Sequence, residues 1–288
     1  MGDLAVRGAH RAGAVGLALL AELGLLACMP AEWGANAILH PSRRALAKGL
    51  ALPHIDLEIR TEGIVLKGWL VRAQGERRGL IVYLHGIADN RESGVGFAER
   101  FVPKGYDVLL YDARAHGESG GENCTYGYFE KRDLLRALDA VGAREAVVFG
   151  SSLGAAVALQ AAPLDARIRA VIAQSPFSDL GTIIRERAPW IATESEIQEA
   201  IGIAEARGRF KVSEVSPQKA ALEIRVPVLL IHGDADRKTR PEHSLRIHAA
   251  LRGPKTLLLV PGAGHDDVLQ REEPWRAIEA FVAAAAGS

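Results

Sequence analysis

An α/β fold with a mostly parallel central sheet and helices on both faces is the architecture this chain predicts, on three observations. Short apolar runs recur between residues 79 and 262 without polar alternation. Segments with apolar residues at helical spacing separate them. Glycine-rich and polar stretches fall at the carboxyl ends of the runs. A strand that is apolar on both faces needs cover on both, and alternating helices supply it.

The elements follow in order. IDLEIRTEGIVLKGWLV (55–71) alternates around Thr61-Glu62-Gly63 and reads as an antiparallel hairpin. GLIVYLHG (79–86) is an apolar strand closed by glycine, and FAERFVPKG is a short helix ending at Gly105. DVLLYDA (107–113) is the next strand; in 126–143, Leu134, Leu135, Leu138 and Val141 recur at helical spacing. AVVFG (146–150) leads into a helical segment from Leu153 to Ala162. IRAVIAQSP (168–176), PVLLIHGDAD (227–236) and TLLLVPG (256–262) are three further buried strands. PEHSLRIHAALRG (241–253) and a C-terminal stretch with Trp275, Ile278 and Phe281 are helical.

One interval breaks the rhythm. Residues 177–222 hold far more chain than a crossover needs, and ESEIQEAIGIAEARGRF within them reads as helix. A long insertion at the carboxyl end of a strand reads as a helical lid. No repeat or low-complexity linker divides the chain, so residues 31–288 are taken as one domain carrying a lid at about 177–222.

Residues 1–30 stand apart. Arg7 and Arg11 precede GAVGLALLAELGLLACM (13–29), an apolar segment interrupted by Glu22. Its length, about seventeen residues, is marginal for a bilayer span, and a central glutamate there is costly. Three readings compete: a signal peptide or membrane anchor, a lipoprotein signal ending at Cys28, and a helix packed on the main domain. The basic residues upstream favour membrane contact or export over a cytoplasmic location. The formal net charge is zero and no basic stripe alternates with aromatics, which argues against nucleic acid as a partner. Two distant cysteines and nine scattered histidines give neither a disulfide framework nor a metal-ligand cluster, so no metal or cofactor is implied.

The chemistry concentrates at AVVFGSSLGAAVALQ (146–160). G-x-S-x-G alone is weak, but here a strand precedes it, small residues flank Ser152, and a helix follows. That is the context of a nucleophile elbow, a turn so sharp that side chains at the glycine positions would strike backbone. A serine hydroxyl needs a base, and the base needs an acid to orient it, in the chain order Ser, Asp or Glu, His. PVLLIHGDAD offers Asp234 and Asp236, and TLLLVPGAGHDD presents His265 past the last strand. The N–H groups of Leu153 and Ile87 are candidate oxyanion donors. Asp266 and Asp267 read as caps of the final helix. His116 and His232 read as structural residues in turns, and Cys124 as a loop cysteine with no base near it in sequence.

With these residues in place, most of residues 50–285 resembles the alpha/beta-hydrolase superfamily of serine hydrolases, in particular its esterase and serine-aminopeptidase-like branch. The resemblance rests on YLHG (83–86), YDARAHGESGG (111–121), GSSLG, PVLLIHGDAD and GAGH. It implies an alpha/beta-hydrolase fold, an oxyanion loop at His85, Gly86 and Ile87, Asp236 rather than Asp234 as the acid, and His265 as the base. The chain departs from the pattern at Ala115, where the family has glycine, and in the basic pair Arg237-Lys238 after the acid. The expected activity is hydrolysis of a carboxylic ester on a small-molecule acyl substrate, through an acyl-enzyme formed on Ser152. Thioester or amide cleavage, a serine peptidase, and a non-catalytic binding protein on the same fold are the alternatives.

Overall fold

Valine, isoleucine and leucine fill both faces of the central strands, which sets them between two layers of helix. A computed structural model of the chain describes residues 31–286; the apolar segment 13–29, with Cys28 and the readings attached to it, lies outside them. No helix among the described residues is long and apolar enough to cross a membrane.

The strands are β1 (His54–Thr61), β2 (Ile64–Val71), β3 (Gly79–Leu84), β4 (Tyr106–Tyr111), β5 (Ala146–Ser151), β6 (Ile168–Gln174), β7 (Val228–Gly233) and β8 (Lys255–Val260). Among the described residues they form one eight-stranded sheet in the order β1-β2-β4-β3-β5-β6-β7-β8. β1 and β2 are the expected hairpin, in register from His54↔Val71 to Thr61↔Ile64. β2 is also antiparallel to β4, and every pairing beyond β4 is parallel. The fold is therefore the alpha/beta-hydrolase fold that the sequence implied.

The helices are α1 (31–39), α2 (Val95–Phe101), α3 (Glu130–Ala140), α4 (Leu153–Ala161), α5 (Leu180–Arg187), α6 (Glu194–Gly208), α7 (Pro217–Ala221), α8 (Glu242–Ala250) and α9 (Glu272–Ala286). On one face Leu134 and Leu138 of α3, Val157 of α4, Ala221 of α7 and Ile247 of α8 pack on Val82, Val148 and Leu230 of the sheet. On the other, Phe97 and Phe101 of α2 and Ile278 and Val282 of α9 pack on Tyr83, Phe149 and Ile231. Burial on this scale, about 25 cal/mol per Å² of apolar surface, is what holds the sheet between its layers.

β8 departs from its expected full burial. It is the sheet edge, with Leu257 and Leu258 half-buried and Leu259 exposed. An edge strand has a neighbour on one side alone, and the run TLLLV does not record which strand ends the sheet.

The interval between β6 and β7 is helical. Thr193 and Glu196 form a reciprocal capping box that starts α6. Ile183, Ile201, Ala204 and Phe210 bury against Ala35, Ile38 and Leu39 of α1 and Ala156 of α4, a small core separate from the two sheet faces. The end of the interval behaves differently: Ala221 and Ile224 join the main core, so α7 is a crossover element rather than part of a cap.

Candidate active site

Three strand ends converge here. β5 turns into α4 at Ser152, whose backbone stands at φ 50°, ψ −106°. A non-glycine residue held so costs on the order of 1–3 kcal/mol, and it persists because its surroundings leave no alternative. A Cβ on Gly150 would lie 2.3 Å from the Gly154 carbonyl, and one on Gly154 would lie 2.3 Å from the Leu84 carbonyl oxygen. Glycine is required at both places, and the expected sharp turn is there. The Ser152 N–H donates to the Gln174 carbonyl at 2.8 Å, which fastens the elbow to the end of β6.

β3 ends beside the elbow. A Cβ on Gly86 would come within 3.8 Å of the Ser152 Cβ, so this backbone passes next to the serine. The His85 ring fixes the loop from beneath. Its Nε2 accepts the Ala113 N–H at 2.9 Å, which leaves Nδ1–H to donate to the Gly86 carbonyl at 2.7 Å. Burial holds His85 below the usual histidine range, in keeping with this neutral tautomer. Ile87 follows on the cavity wall. Leu153 heads α4, where the first N–H groups have no intrahelical acceptor.

At the end of β7, Asp236 is buried and accepts three hydrogen bonds, with the His232 ring beside it. Lys238 and Thr239 N–H reach Oδ1 at 2.8 and 2.9 Å, while His265 Nδ1 and His232 Nε2 lie 2.6 and 3.2 Å from Oδ2. Burial alone would raise this carboxyl, but the His232 and His265 rings and the Thr239 N–H outweigh it and hold it well below the usual carboxylate range. Asp234 does something else: its Oδ1 takes the Gly262 N–H at 2.6 Å. A Cβ on Gly233 would meet the Ala263 carbonyl oxygen at 2.2 Å, so the β7 end and the His265 loop pack backbone to backbone. Ser152 and His265 both face a cavity of about 650 Å³, with Gly86 and Ile87 on the same wall.

The family model for the alpha/beta hydrolase fold matches residues 79–201, from β3 through the elbow into α6. YqkD, an uncharacterized protein of Bacillus subtilis, is 30% identical over 213 residues, which span 70% of each chain. The chain belongs to the alpha/beta-hydrolase family. Similar too is YfhR, an uncharacterized protein of Escherichia coli, 27% identical over 72% of this chain and 71% of its own. Among solved structures, the Pyrococcus furiosus esterase Pf2001 superposes with a TM-score of 0.70 at 23% identity, over 85% of this chain and 98% of that one; this likeness is one of fold.

Within this alpha/beta hydrolase several expectations need correcting. Asp266 and Asp267 do not cap the final helix. Asp267 Oδ1 takes the Gly264 N–H at 2.6 Å, closing the turn that carries His265, and Asp266 pairs with Lys238. The local turn offers Asp267 a donor three residues back, before α9 begins. His232 lies on β7 rather than in a turn; its Nε2–H donates to the Thr239 carbonyl at 2.7 Å and its Nδ1 accepts from the Ser244 hydroxyl at 2.7 Å. Ala115 adopts φ 61°, the left-handed region where the family's glycine is at ease. Cys124 is fully buried and its thiol is pushed well above the ordinary range by that burial.

Sequence reasoning missed the contribution of α5. Glu186 and Arg187, at its C-terminal end, face the cavity together with Arg237, Lys238 and Arg240 from the loop after β7. The basic pair after Asp236 was the one signal in the sequence for this wall.

Proposed function

We propose that the protein is a serine hydrolase that cleaves a carboxylic ester through an acyl-enzyme on Ser152, with His265 as base and Asp236 as its orienting acid. The observation that carries this reading is the 2.6 Å contact between His265 Nδ1 and the buried Asp236 carboxylate, on the cavity that also holds the strained Ser152. With Nδ1–H given to Asp236, the Nε2 lone pair is left to take a proton.

Ser152 Oγ attacks the carbonyl carbon as its proton passes to His265 Nε2. The carbonyl oxygen becomes an oxyanion facing the N–H groups of Ile87 and Leu153, each donor of this kind being worth about 3 kcal/mol. Collapse expels the alcohol, which takes the proton from His265. Water then adds to the acyl carbon, its proton moving to His265 and on to Ser152 as the acid leaves. Asp236 keeps the imidazole in the required tautomer and offsets the charge of the imidazolium. The helical interval at about 177–222, from which Glu186 and Arg187 of α5 face the cavity, would act as a lid. Family membership supports a hydrolase, and the fold shared with the Pyrococcus furiosus esterase is in keeping with an ester substrate on a scaffold that carries many chemistries.

Labelling with a fluorophosphonate probe tests the reading. Intact protein is expected to label, and Ser152→Ala and His265→Ala to lose it. Folded intact protein that stays unlabelled would favour a binding protein on this fold, and labelling of Ser152→Ala would move the nucleophile elsewhere.

A further inference from the structure

The cavity in front of Ser152 carries more positive charge than its carboxylates offset. Arg187, Arg237 and Arg240 face it, and so do three acidic side chains that are already engaged. Asp266 is paired with Lys238, Asp89 with Arg44 at 3.2 Å, and Glu186 accepts from His243 Nε2 at 3.0 Å. Arg187 donates to the Thr239 hydroxyl at 3.2 Å, a neutral partner. The guanidinium groups of Arg237 and Arg240 make no hydrogen bond or ion pair with any described residue. Even with Glu186 set against them, the three guanidinium groups leave this wall net positive.

Their placement is specific. Arg237 adjoins Asp236, Arg240 is four positions on, and Arg187 reaches across from α5 to the same loop through Thr239. Two segments far apart in sequence thus aim cations at one cleft beside His265, in a chain with zero formal charge. A cleft lined by one sign of charge concentrates ligands of the other, and the planar guanidinium matches the two oxygens of a carboxylate or phosphate.

We propose that the substrate is an ester bearing a carboxylate or phosphate group, held by Arg187, Arg237 and Arg240 while its carbonyl faces Ser152. This rests on the serine-hydrolase reading and adds the substrate class to it. The anion can sit on the acyl part or on the alcohol part, and paired substrates separate the two. One pair is the para-nitrophenyl half-ester of glutaric acid against para-nitrophenyl pentanoate. The other is butyryl glycerol phosphate against monobutyrin.

In at least one pair kcat/KM is expected to favour the anionic ester by about tenfold or more at low salt, and the preference to shrink as ionic strength rises. In the double variant Arg237→Gln/Arg240→Gln the ratio should fall toward one. Both side chains are exposed, and surface changes of this kind leave folding nearly untouched. A ratio at or below one in both pairs overturns the proposal, as does a ratio that the double variant leaves unchanged. If neither member of a pair is cleaved, calorimetry on Ser152→Ala decides. Binding of the anionic ester that disappears when both arginines are also replaced upholds the anion site and faults the hydrolase reading; absent binding overturns the anion site.

Discussion

His265 and Asp236 meet at 2.6 Å across the ends of β8 and β7, while Asp234, two residues earlier, is turned away to the Gly262 N–H. The two aspartates therefore have separable consequences. Asp236→Asn should leave the fold in place and reduce kcat by about 10³ to 10⁴, because an amide at this position no longer enforces the Nδ1–H tautomer. Asp234→Asn should leave kcat within a few-fold and lower stability by about 1 kcal/mol, through one weakened hydrogen bond. Steady-state kinetics and urea unfolding on both variants check this; equal losses of kcat would mean that the acid is misassigned.

A second prediction concerns the elbow. A methyl on Gly154 would lie 2.3 Å from the Leu84 carbonyl oxygen, and that oxygen belongs to β3 in the middle of the sheet. Neither backbone can yield cheaply. Gly154→Ala is expected to cost about 3 kcal/mol or more, in the range of severe overpacking, and to move Ser152 relative to Ile87. Gly202→Ala is the control, since nothing lies within 4 Å of its added methyl. Thermal unfolding of the two variants should differ widely.

These cases show what was legible in the sequence. The parallel strands could be read because apolar residues on both faces leave a strand no other environment. The places of Ser152 on its turn and of His265 in the loop after β8 could be read because both are local constructions. Asp236 was preferred to Asp234 on the spacing of the resemblance and on loop position, since the capture of Asp234 by Gly262 is a contact made only when the β7 and β8 loops meet. The edge position of β8 and the reach of Arg187 into the cavity depend on packing between distant segments, which no run of residues records. Asp267 was misread because an aspartate before a helix is a good cap, and here a tighter local turn claims it.

Ala115 yields a third prediction. Its φ of 61° costs an alanine about 1–2 kcal/mol relative to the ordinary regions. Ala115→Gly removes that strain, but it frees the unfolded chain by about 0.4–1 kcal/mol and gives up a buried methyl worth about 0.8 kcal/mol. The terms nearly cancel, so stability should change by less than about 1 kcal/mol. Ala115→Val has no such compensation: a β-branched side chain in this region should destabilise by more than about 2 kcal/mol. Urea midpoints of the two variants test whether this position is set by backbone conformation.

The fourth prediction is a pH dependence of stability centred on His116. The ring is fully buried, its Nδ1–H donates to the Arg114 carbonyl at 2.8 Å, and its Nε2 has no hydrogen-bond partner. Burial first, and then the neighbouring His85 ring at 5.1 Å, lower its pKa from 6.5 to about 4; Glu130 opposes this and Arg43 adds to it. Between those two values the unfolded chain holds a proton that the folded chain refuses. Stability from this residue is therefore complete above about pH 6.5 and declines as pH falls toward 4, at about 1.4 kcal/mol per pH unit. Asp236 acts in the same sense but in a lower window, below its ordinary value of 3.8, so the two contributions separate. Urea unfolding followed from neutral pH down to the folded His116 value should show this decline in the intact protein. His116→Asn should flatten it by nearly one proton. An unchanged slope would mean that His116 takes up its proton without unfolding.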